Sequence, residues 1–373
     1  MKNILPITVA ISYYNDKRYI AASIESILDQ SYENFELVLC NHASTDGSRD
    51  IVRSYKDPRI IHIDLPKNLG AGSSYNFRYS KDVLSGTYFK NFSADDVMHK
   101  DCLKNLIEYA EENPEKDLIF GNLEYINAKG KKLGKSWFSD IKNFSKDFSE
   151  IDLMRIFASG SNVLPCAAAF MKTEKLKRIK FDNSMTIRAD MWLWLSFLLS
   201  GSKVGFCDKI VGSYRFHEYQ ESFFDSEILQ RRSEMEKAPF LSLFFQIDNV
   251  ETAKMIFPDS PYADRLTDVQ DIPFFVAESF LRKNKEPFAY HALFNMMLDE
   301  QKLQRLENVF GFGVLELRKL YAFKDPHESF KQRIYAKKPR KLTTIELLYL
   351  LWKRSFRFLR DVMTLRFLRK RKI

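Results

Sequence analysis

The sequence predicts an α/β protein whose parallel sheet carries helices on both faces. In roughly the first hundred residues, short apolar runs typical of strands alternate with segments whose apolar residues recur at helical spacing. Repeated βα units predict a parallel sheet, because parallel neighbours need a crossover connection. Polar loops around Asn15, 41–46 and 93–96 follow three of these strands. Ligands of such sheets bind at the carboxyl ends of the strands, so the sequence predicts a site at that edge.

The predicted elements follow one another closely. The first strand is 7–13, and in the helix 19–28 that follows it Ile20, Ile24 and Ile27 share one face. The later elements are strand 35–40, helix 48–55, strand 60–63, helix 72–84 and strand 87–92. Small residues between 160 and 169 permit either close approach of a ligand or tight packing. After about residue 225 the pattern becomes mostly helical, which predicts a domain 1–225, a helical accessory region 226–340 and a C-terminal segment 341–373.

Length and composition indicate a globular chain. Its 373 residues are enough for two domains, and 45% of them are hydrophobic, which supports a packed core. The four cysteines have no short spacing, which argues against a disulfide framework or a zinc site and fits a reducing cytoplasm. The N-terminus has no small-residue cleavage site, and no apolar stretch reaches the roughly 20 residues of a membrane span. We therefore expect a cytoplasmic protein.

The basic charge is concentrated at the C-terminus. Residues 341–373 hold ten Lys or Arg against Glu346 and Asp361, a net +8 of the chain's +9. Apolar residues recur there at three- and four-residue spacing, which predicts an amphipathic basic helix. Such a helix can lie peripherally on an anionic membrane or pack on the protein with a solvated face, and the pattern leaves both open. The tail has none of the zinc spacings, sheet signatures or Gly-rich loops of nucleic-acid-binding modules, so nucleic-acid binding is the weaker alternative.

Two adjacent carboxylates, Asp95 and Asp96, come directly after the predicted strand 87–92. Hard cations such as Mg²⁺ and Mn²⁺ take oxygen ligands, and a site with one or two carboxylates leaves positions for the phosphates of a substrate. The pair therefore predicts a metal and diphosphate site. The alternative is that it only caps the helix that begins near Asp101.

Six segments preceding and including this pair, and two beyond it, resemble family 2 glycosyltransferases with the GT-A fold. Residues 9–15 are similar to the family's opening strand and T-Y-N turn, 26–37 to its S-L-x-Q-T-Y segment, and 41–48 to its D-D-G-S-T-D-G-T loop. Asn68-Leu69-Gly70 with Asn76, and then 86–88, lead to 93–96, which resembles the D-x-D-D form of the metal motif. Residues 188–195 resemble E-D-x-x-L-W-L, and 214–222 resemble Y-R-x-H-x-x-Q-x-S. The resemblance covers roughly residues 5 to 220.

The resemblance implies an enzyme and assigns its residues. It implies a Rossmann-like, mixed but mainly parallel sheet flanked by helices, followed by a mostly helical C-terminal region. It further implies metal-dependent, inverting transfer of a hexose from a nucleotide-diphosphate sugar, with UDP as the expected nucleotide, to a glycan or lipid-linked acceptor in cell-surface polysaccharide synthesis. Asp190 is implied as the catalytic base, and Asp96 and His217 as ligands of Mg²⁺ or Mn²⁺. Nucleotide-sugar binding is implied for Ser12, Tyr14, Asn15, Asn41, His42, Asn68, Asn76 and Asp95.

The chain departs from the family pattern at several positions. Asn41 and His42 stand where an Asp pair is usual, Ala189 replaces a Glu, and Ser93 replaces the first Asp of the metal motif. These changes support the alternative of a catalytically inactive nucleotide-sugar-binding protein. Asp190 itself has the alternative of a helix N-cap. Its apolar neighbours Met191, Trp192 and Trp194 can desolvate it, and we expect the two tryptophans to lie mainly in the core rather than to stack on sugars.

Overall fold

The computed structural model describes residues 6–70, 84–141, 144–180, 184–218, 220, 227–284 and 286–321. By its contacts the chain divides into two units, residues 1–314 and 315–373. Most of the predicted helix 72–84, the predicted ligand-binding residue Asn76 and the predicted tail helix in 341–373 lie outside the described residues. Within the described ranges, no helix is both long enough and apolar enough to cross a bilayer.

The described part of the chain contains a single mixed sheet. Its nine strands are β1 (Ile7–Tyr13), β2 (Phe35–Asn41), β3 (Ile60–Asp64), β4 (Tyr88–Phe92), β5 (Val97–Met98), β6 (Leu118–Asn127), β7 (Lys132–Ser136), β8 (Ala169–Lys172) and β9 (Val204–Phe216). They lie in the order β3-β2-β1-β4-β8-β6-β9-β5, with β7 paired to β6. Strands β3, β2, β1 and β4 are parallel to one another, and β6 is parallel to β9. Because β8 is antiparallel to both β4 and β6, the two parallel groups run in the same direction, and the predicted mainly parallel sheet is confirmed.

Helices connect and cover the strands. Those before residue 220 are α1 (Ile20–Leu28), α2 (Ser48–Ser54), α3 (Cys102–Glu112), α4 (Trp137–Asp140), α5 (Glu150–Ala158), α6 (Thr173–Leu176) and α7 (Ala189–Leu199). Those after it are α8 (Glu227–Ser242), α9 (Val250–Ile256), α10 (Ile272–Asn284), α11 (Pro287–Met297), α12 (Glu300–Phe310) and α13 (Val314–Tyr321). Every predicted element of the first hundred residues that falls within the described chain is present to within a residue at each end.

The central strands are apolar because helices cover both of their faces. Every residue of β2 is buried, as is all of β1 except Ser12. The buried polar groups between these strands are paired: Thr8 Oγ1 donates to Glu36 Oε1 at 2.6 Å and accepts from the Gly86 N–H at 2.8 Å. A Cβ at Gly86 would lie 2.5 Å from the Thr8 nitrogen. Only glycine therefore fits where the chain enters β4, the strand that directly precedes the loop with Asp95 and Asp96.

The helical region after residue 227 packs on the α/β part through aromatic rings. Phe240 of α8 meets Phe157 of α5 edge to face, with ring centroids 6.3 Å apart. Behind it, Phe244, Phe257 and Phe280 form a mutual cluster with centroid separations of 5.1 to 5.9 Å. These rings are buried, and each contributes a large apolar surface to the packing. Helix α8 is thereby held against α5.

Candidate active site

A cleft of about 830 Å³ opens at the carboxyl ends of the strands. The turn after β1, the loop after β4 and the first turn of α7 all line it, with Asn15, Asp95 and Asp190 among the lining residues. The structure therefore brings together polar residues that lie almost 180 positions apart in the sequence. Of the other residues predicted to bind a nucleotide sugar, Ser12, Tyr14, His42 and Asn68 also line this cleft.

The turns after β1 and β2 are tied to each other. Asn15 has a left-handed backbone (φ 59°), its side-chain Oδ1 accepts the Thr45 N–H at 2.8 Å, and its own N–H donates to Ser44 Oγ at 3.1 Å. Ala43 is also left-handed (φ 60°), a conformation that non-glycine residues rarely adopt. The asparagine thus fixes the spacing of two loops besides lining the cleft.

Asn41 and His42 occupy different positions, although they are adjacent. The Asn41 side chain is buried, donates to Asp64 Oδ1 at 2.9 Å and accepts the Ser44 N–H at 2.9 Å, and it does not line the cleft. His42 is also buried but does line it. The Asp64 carboxylate is further paired with Arg49 at 3.1 Å, and this guanidinium holds its pKa well below the usual range of an Asp. Asp64, at the carboxyl end of β3, was not predicted from the sequence.

Asp96 is buried beneath the cleft, with 2% of its surface exposed. Its Oδ1 accepts the backbone N–H of Arg215 at 2.8 Å, and its Oδ2 has no hydrogen-bond partner among the described residues. Burial and the neighbouring Asp95 raise the pKa of Asp96 well above its ordinary value. The helix-cap alternative is wrong for this pair, because β5 intervenes and the residue that precedes α3 is Asp101.

Two side chains from the end of β9 hold the carboxylate loop in place. His217 Nε2 lies 2.9 Å from Asp95 Oδ2, and Arg215 Nε donates to the Asp95 carbonyl at 2.6 Å. Both also pack on the ring of Tyr19, at 4.7 Å for the imidazole and 4.8 Å for the guanidinium. His217, predicted as a metal ligand beside Asp96, pairs with Asp95 in this structure. Arg215 was missed as a site residue, although its signal was present in the Y-R-x-H segment.

The fit of these residues to a divalent cation rests on Asp96 Oδ2. Among the described residues, no group of three or more His, Cys, Asp or Glu side chains is arranged to hold a metal by itself. A buried carboxylate oxygen without a partner is nevertheless costly unless something binds it. Mg²⁺ typically takes one or two carboxylates and completes its shell with water and substrate phosphates. Asp95 and Asp96 fit that arrangement, with His217 positioned to orient Asp95.

Asp190 is the second residue of α7. The residue before this helix is Arg188, so the predicted N-cap alternative for Asp190 is wrong. Its Oδ1 accepts the Met191 N–H at 2.7 Å, and its Oδ2 accepts from the Asn162 side chain at 2.9 Å. Burial raises the pKa of Asp190 to about 6. At neutral pH such a carboxylate is mostly ionised but is more basic than an ordinary Asp, as general-base catalysis requires.

A tryptophan other than the two considered in the sequence lines the cleft, together with several other aromatic residues. Trp194 is fully buried against Phe120, with ring centroids 5.1 Å apart, and Trp192 is not among the lining residues. Trp137 lines the cleft instead, with its indole N–H donated to the Val163 carbonyl at 3.0 Å. It precedes α5 in a polar, Lys-rich stretch whose apolar spacing carries no signal of a site.

The small residues between 160 and 169 lie partly in the cleft and partly in the packed interior. Gly160, Asn162 and Cys166 line the cleft, and the Asn91 side chain lies 2.8 Å from the Cys166 sulfur. Ala167 to Ala169 are buried, and the fully buried Lys90 ammonium donates to the Ala167 carbonyl. The segment thus packs on β4 with one side and forms the cleft floor with the other.

The fold is similar to that of a solved structure. The structure of S. aureus TarS residues 1–349, solved in complex with UDP, superposes with a TM-score of 0.51 over 88% of this chain and 92% of that one, at 16% sequence identity. This likeness shows the fold: the mixed sheet with its cleft at the carboxyl edge is the GT-A fold, as the sequence resemblance implied.

The sequence comparison identifies the kind of enzyme. Residues 8–179, just under half of the chain, match the model of glycosyl transferase family 2. Over this range the protein is similar to that family, and the match and the curated relatives together identify it as a glycosyltransferase. The matched range ends before Asp190 and His217, so the roles of these two residues stay predictions.

Two curated relatives are similar over more than half of the chain. One is an uncharacterized glycosyltransferase of Methanocaldococcus jannaschii, 27% identical over 213 residues, which are 56% of this chain and 70% of the relative. The other is the putative teichuronic acid biosynthesis glycosyltransferase TuaG of Bacillus subtilis, 27% identical over 211 residues, which are 56% of this chain and 78% of the relative.

Proposed function

We propose that the protein transfers a hexose from a UDP-linked sugar to a glycan or lipid-linked acceptor, with inversion at the anomeric carbon. The observation that carries this proposal is the placement of Asp190 in the same cleft as the Asp95 loop and its His217 partner. A base on one wall and a diphosphate-binding group on another are the two elements that a sugar-nucleotide transferase needs.

The transfer step follows from the position of Asp190. The acceptor hydroxyl gives its proton to the carboxylate while its oxygen forms a bond to the anomeric carbon. The bond from that carbon to the diphosphate oxygen breaks, and the electron pair leaves with the nucleoside diphosphate. Attack opposite the leaving group inverts the configuration. The pKa of about 6 keeps Asp190 ionised and ready for this proton at neutral pH.

The donor wall, which is the side of the cleft formed by the loops after β1, β2 and β4, would stabilise the negative charge of the leaving group. When bound there, Mg²⁺ or Mn²⁺ would neutralise charge that develops on the diphosphate as the glycosyl bond breaks. Asp96, through its unpartnered Oδ2, and Asp95 would hold the ion. Asp95 is oriented for this by His217, and its loop is fixed by Arg215 from β9.

Donor and pathway are proposed from smaller indications. His42 lines the cleft at the end of β2, where imidazole nitrogen can accept a hydrogen bond from a nucleotide base. The structurally similar TarS was solved with UDP, and the name of the relative TuaG places it in teichuronic acid synthesis. The first supports a UDP-sugar donor, and the second supports a role in building a cell-surface polysaccharide.

The C-terminal segment supplies a proposal of its own, which rests on its sequence. Residues 341–373 combine ten cations with apolar residues at helical spacing, a composition suited to an anionic membrane surface. We expect a chain truncated after residue 340 to lose its affinity for vesicles containing phosphatidylglycerol and to keep its turnover of donor. Equal sedimentation of both chains with such vesicles would contradict membrane binding.

The reaction itself is tested with a panel of UDP-sugars. We expect UDP release that needs Mg²⁺ or Mn²⁺, that stops on addition of EDTA, and that gives product of inverted anomeric configuration by NMR. Binding of these donors without turnover would contradict the proposed activity, and product of retained configuration would contradict the role of Asp190.

A further inference from the structure

A carboxylate from the helical region contacts the loop that precedes α7. Glu236 of α8 is buried, with 9% of its surface exposed. Its Oε1 accepts the Thr186 N–H at 2.9 Å together with the Thr186 hydroxyl. Its Oε2 accepts the N–H groups of Ile187 at 2.9 Å and Arg188 at 2.8 Å. One carboxylate thus gathers four donors from three successive residues, directly before the helix that carries Asp190.

The same loop reaches back to α8 and across to the cleft floor. Arg188 Nε donates to the Ser233 carbonyl, one turn before Glu236, at 2.9 Å. Its Nη1 donates to the Gly160 carbonyl at 3.0 Å. Two residues beyond Gly160, Asn162 donates its side-chain amide to Asp190 at 2.9 Å. These contacts connect α8 to Asp190 by two routes. Glu236 binds the backbone before Asp190, and Arg188 joins α8 to Gly160, close to the Asn162 amide that binds the Asp190 carboxylate.

We propose that Glu236 is a positioning residue for the base Asp190, holding the first turn of α7 at the distance from the donor that transfer requires. This inference rests on the proposed role of Asp190. It places a determinant of the reaction in the helical region, beyond the part of the chain that matches the family model.

The four contacts need a carboxylate. Backbone N–H groups ahead of a helix carry partial positive charge, and an anion there makes stronger hydrogen bonds than a neutral group. In Glu236→Gln one oxygen becomes an NH₂ group, which would face at least one backbone N–H, donor to donor, whichever way the amide is turned. The loop must then move. A displacement of about 1 Å of a catalytic group can cost on the order of 100-fold in rate.

The test compares Glu236→Gln with Glu227→Gln, an exposed glutamate on the same helix that pairs with the exposed Arg231. The assay is UDP release, with water as acceptor, from whichever of UDP-glucose, UDP-galactose and their N-acetylhexosamine counterparts turns over fastest. We expect Glu236→Gln to lower kcat by about 10- to 100-fold with KM within about twofold of wild type. Glu227→Gln should behave as wild type. A Glu236→Gln protein with unchanged kcat, or with kcat and KM altered together, would overturn the proposal.

A double-mutant cycle separates a positioning role from a general loss of structure. If Glu236 acts through Asp190, Glu236→Gln should cause no further loss in an Asp190→Asn background. An equal loss in both backgrounds would overturn the proposal. Asp190→Asn with full UDP release would instead contradict the proposed function, so the two failures are distinguishable.

The milder variant Thr186→Val guards against misfolding of Glu236→Gln. It removes one of the four donors and leaves the carboxylate in place. We expect it to lower kcat about two- to fivefold with unchanged KM and a melting temperature lowered by only a few degrees, in line with loss of a single hydrogen bond to a charged group. A wild-type kcat in this variant would contradict the proposed role of the hydrogen bonds between Glu236 and residues 186–188.

Discussion

The two walls of the cleft are built in different ways. On the donor wall, the side chains come from loops that directly follow β1, β2 and β4. They are held by one another, as between Asn15 and Thr45, or by the end of β9 in the same sheet, as between Asp95 and Arg215. On the proposed acceptor wall, which is the side of the cleft that carries Asp190, the carboxylate is held by Asn162, and the backbone before it is held by Glu236 of the helical region.

This difference predicts which substitutions will disturb each wall. The donor wall rests on the strands of the sheet, so we expect substitutions of its ligand residues to remove a ligand or a charge without moving the backbone. The acceptor wall rests on hydrogen bonds that join the loop before α7 to α8 and to Gly160, so we expect substitutions outside the cleft to move the base.

The largest effect is expected for Asp190→Asn. The amide cannot accept a proton, and general-base catalysis is commonly worth 10²- to 10⁴-fold, so we expect kcat to fall about 1000-fold. UDP affinity, measured by calorimetry, should stay within about twofold because the donor wall is untouched. The exposed Asp259→Asn is the matched control and should keep wild-type kcat. Weakened UDP binding in Asp190→Asn would show that the two walls are not independent.

Asp96→Asn should show the opposite pattern. The amide oxygen can still accept the Arg215 N–H, so we expect the fold to be kept, but the carboxylate that would bind the ion is lost. We expect kcat/KM for the UDP-sugar to fall about 100-fold, the scale of losing one electrostatic stabiliser, together with weaker UDP binding in the presence of Mn²⁺. The readout is the Mn²⁺ concentration needed for half-maximal UDP release, which should rise. An unchanged Mn²⁺ requirement would contradict the proposed ion site.

The donor wall was also the part that the sequence could predict. Strands β1 to β4 show local apolar patterns, and polar residues at the ends of parallel strands must meet at one edge. The acceptor wall required tertiary information. Nothing in the spacing around Glu236 separates it from exposed glutamates on α8, and Trp137 lies in a stretch without periodicity. Even on the donor wall, the sequence did not indicate that Asn41 turns away from the cleft to bind Asp64, because that bond joins two strands.

The pH dependence of kcat tests the role of Asp190 on the acceptor wall. Asp190 must be ionised to act, so kcat should fall about tenfold per unit as pH drops below its pKa of about 6. Asn162→Ala removes a hydrogen bond to the ionised form, which raises the pKa and moves the acid limb of the profile upward by up to about one unit. The nearby Arg188 charge, which lowers the pKa, stays in place. At pH 7 the loss is then only a few-fold.

The control for this shift is Ser161→Ala, at an exposed position next to Asn162 that does not line the cleft. Its acid limb should coincide with that of the wild type. A downward shift in Asn162→Ala would mean that water enters the site and outweighs the lost hydrogen bond.

The smallest effect is expected for Asp64→Asn, and it should appear in stability rather than in chemistry. The Asp64 side chain is 27% exposed and accepts from Arg49, Arg53 and Asn41. Its folded-state pKa is depressed, so its contribution is present above the unfolded pKa of about 3.9 and is lost as pH falls below that value. We expect Asp64→Asn to lower the free energy of unfolding by about 1 kcal/mol at pH 7, with the difference from wild type shrinking toward pH 3. Urea titrations across this range measure it. Because Asp64 supports Asn41 behind the cleft, kcat should change less than twofold. A larger fall in kcat would show that the donor wall, like the acceptor wall, depends on support from outside the cleft.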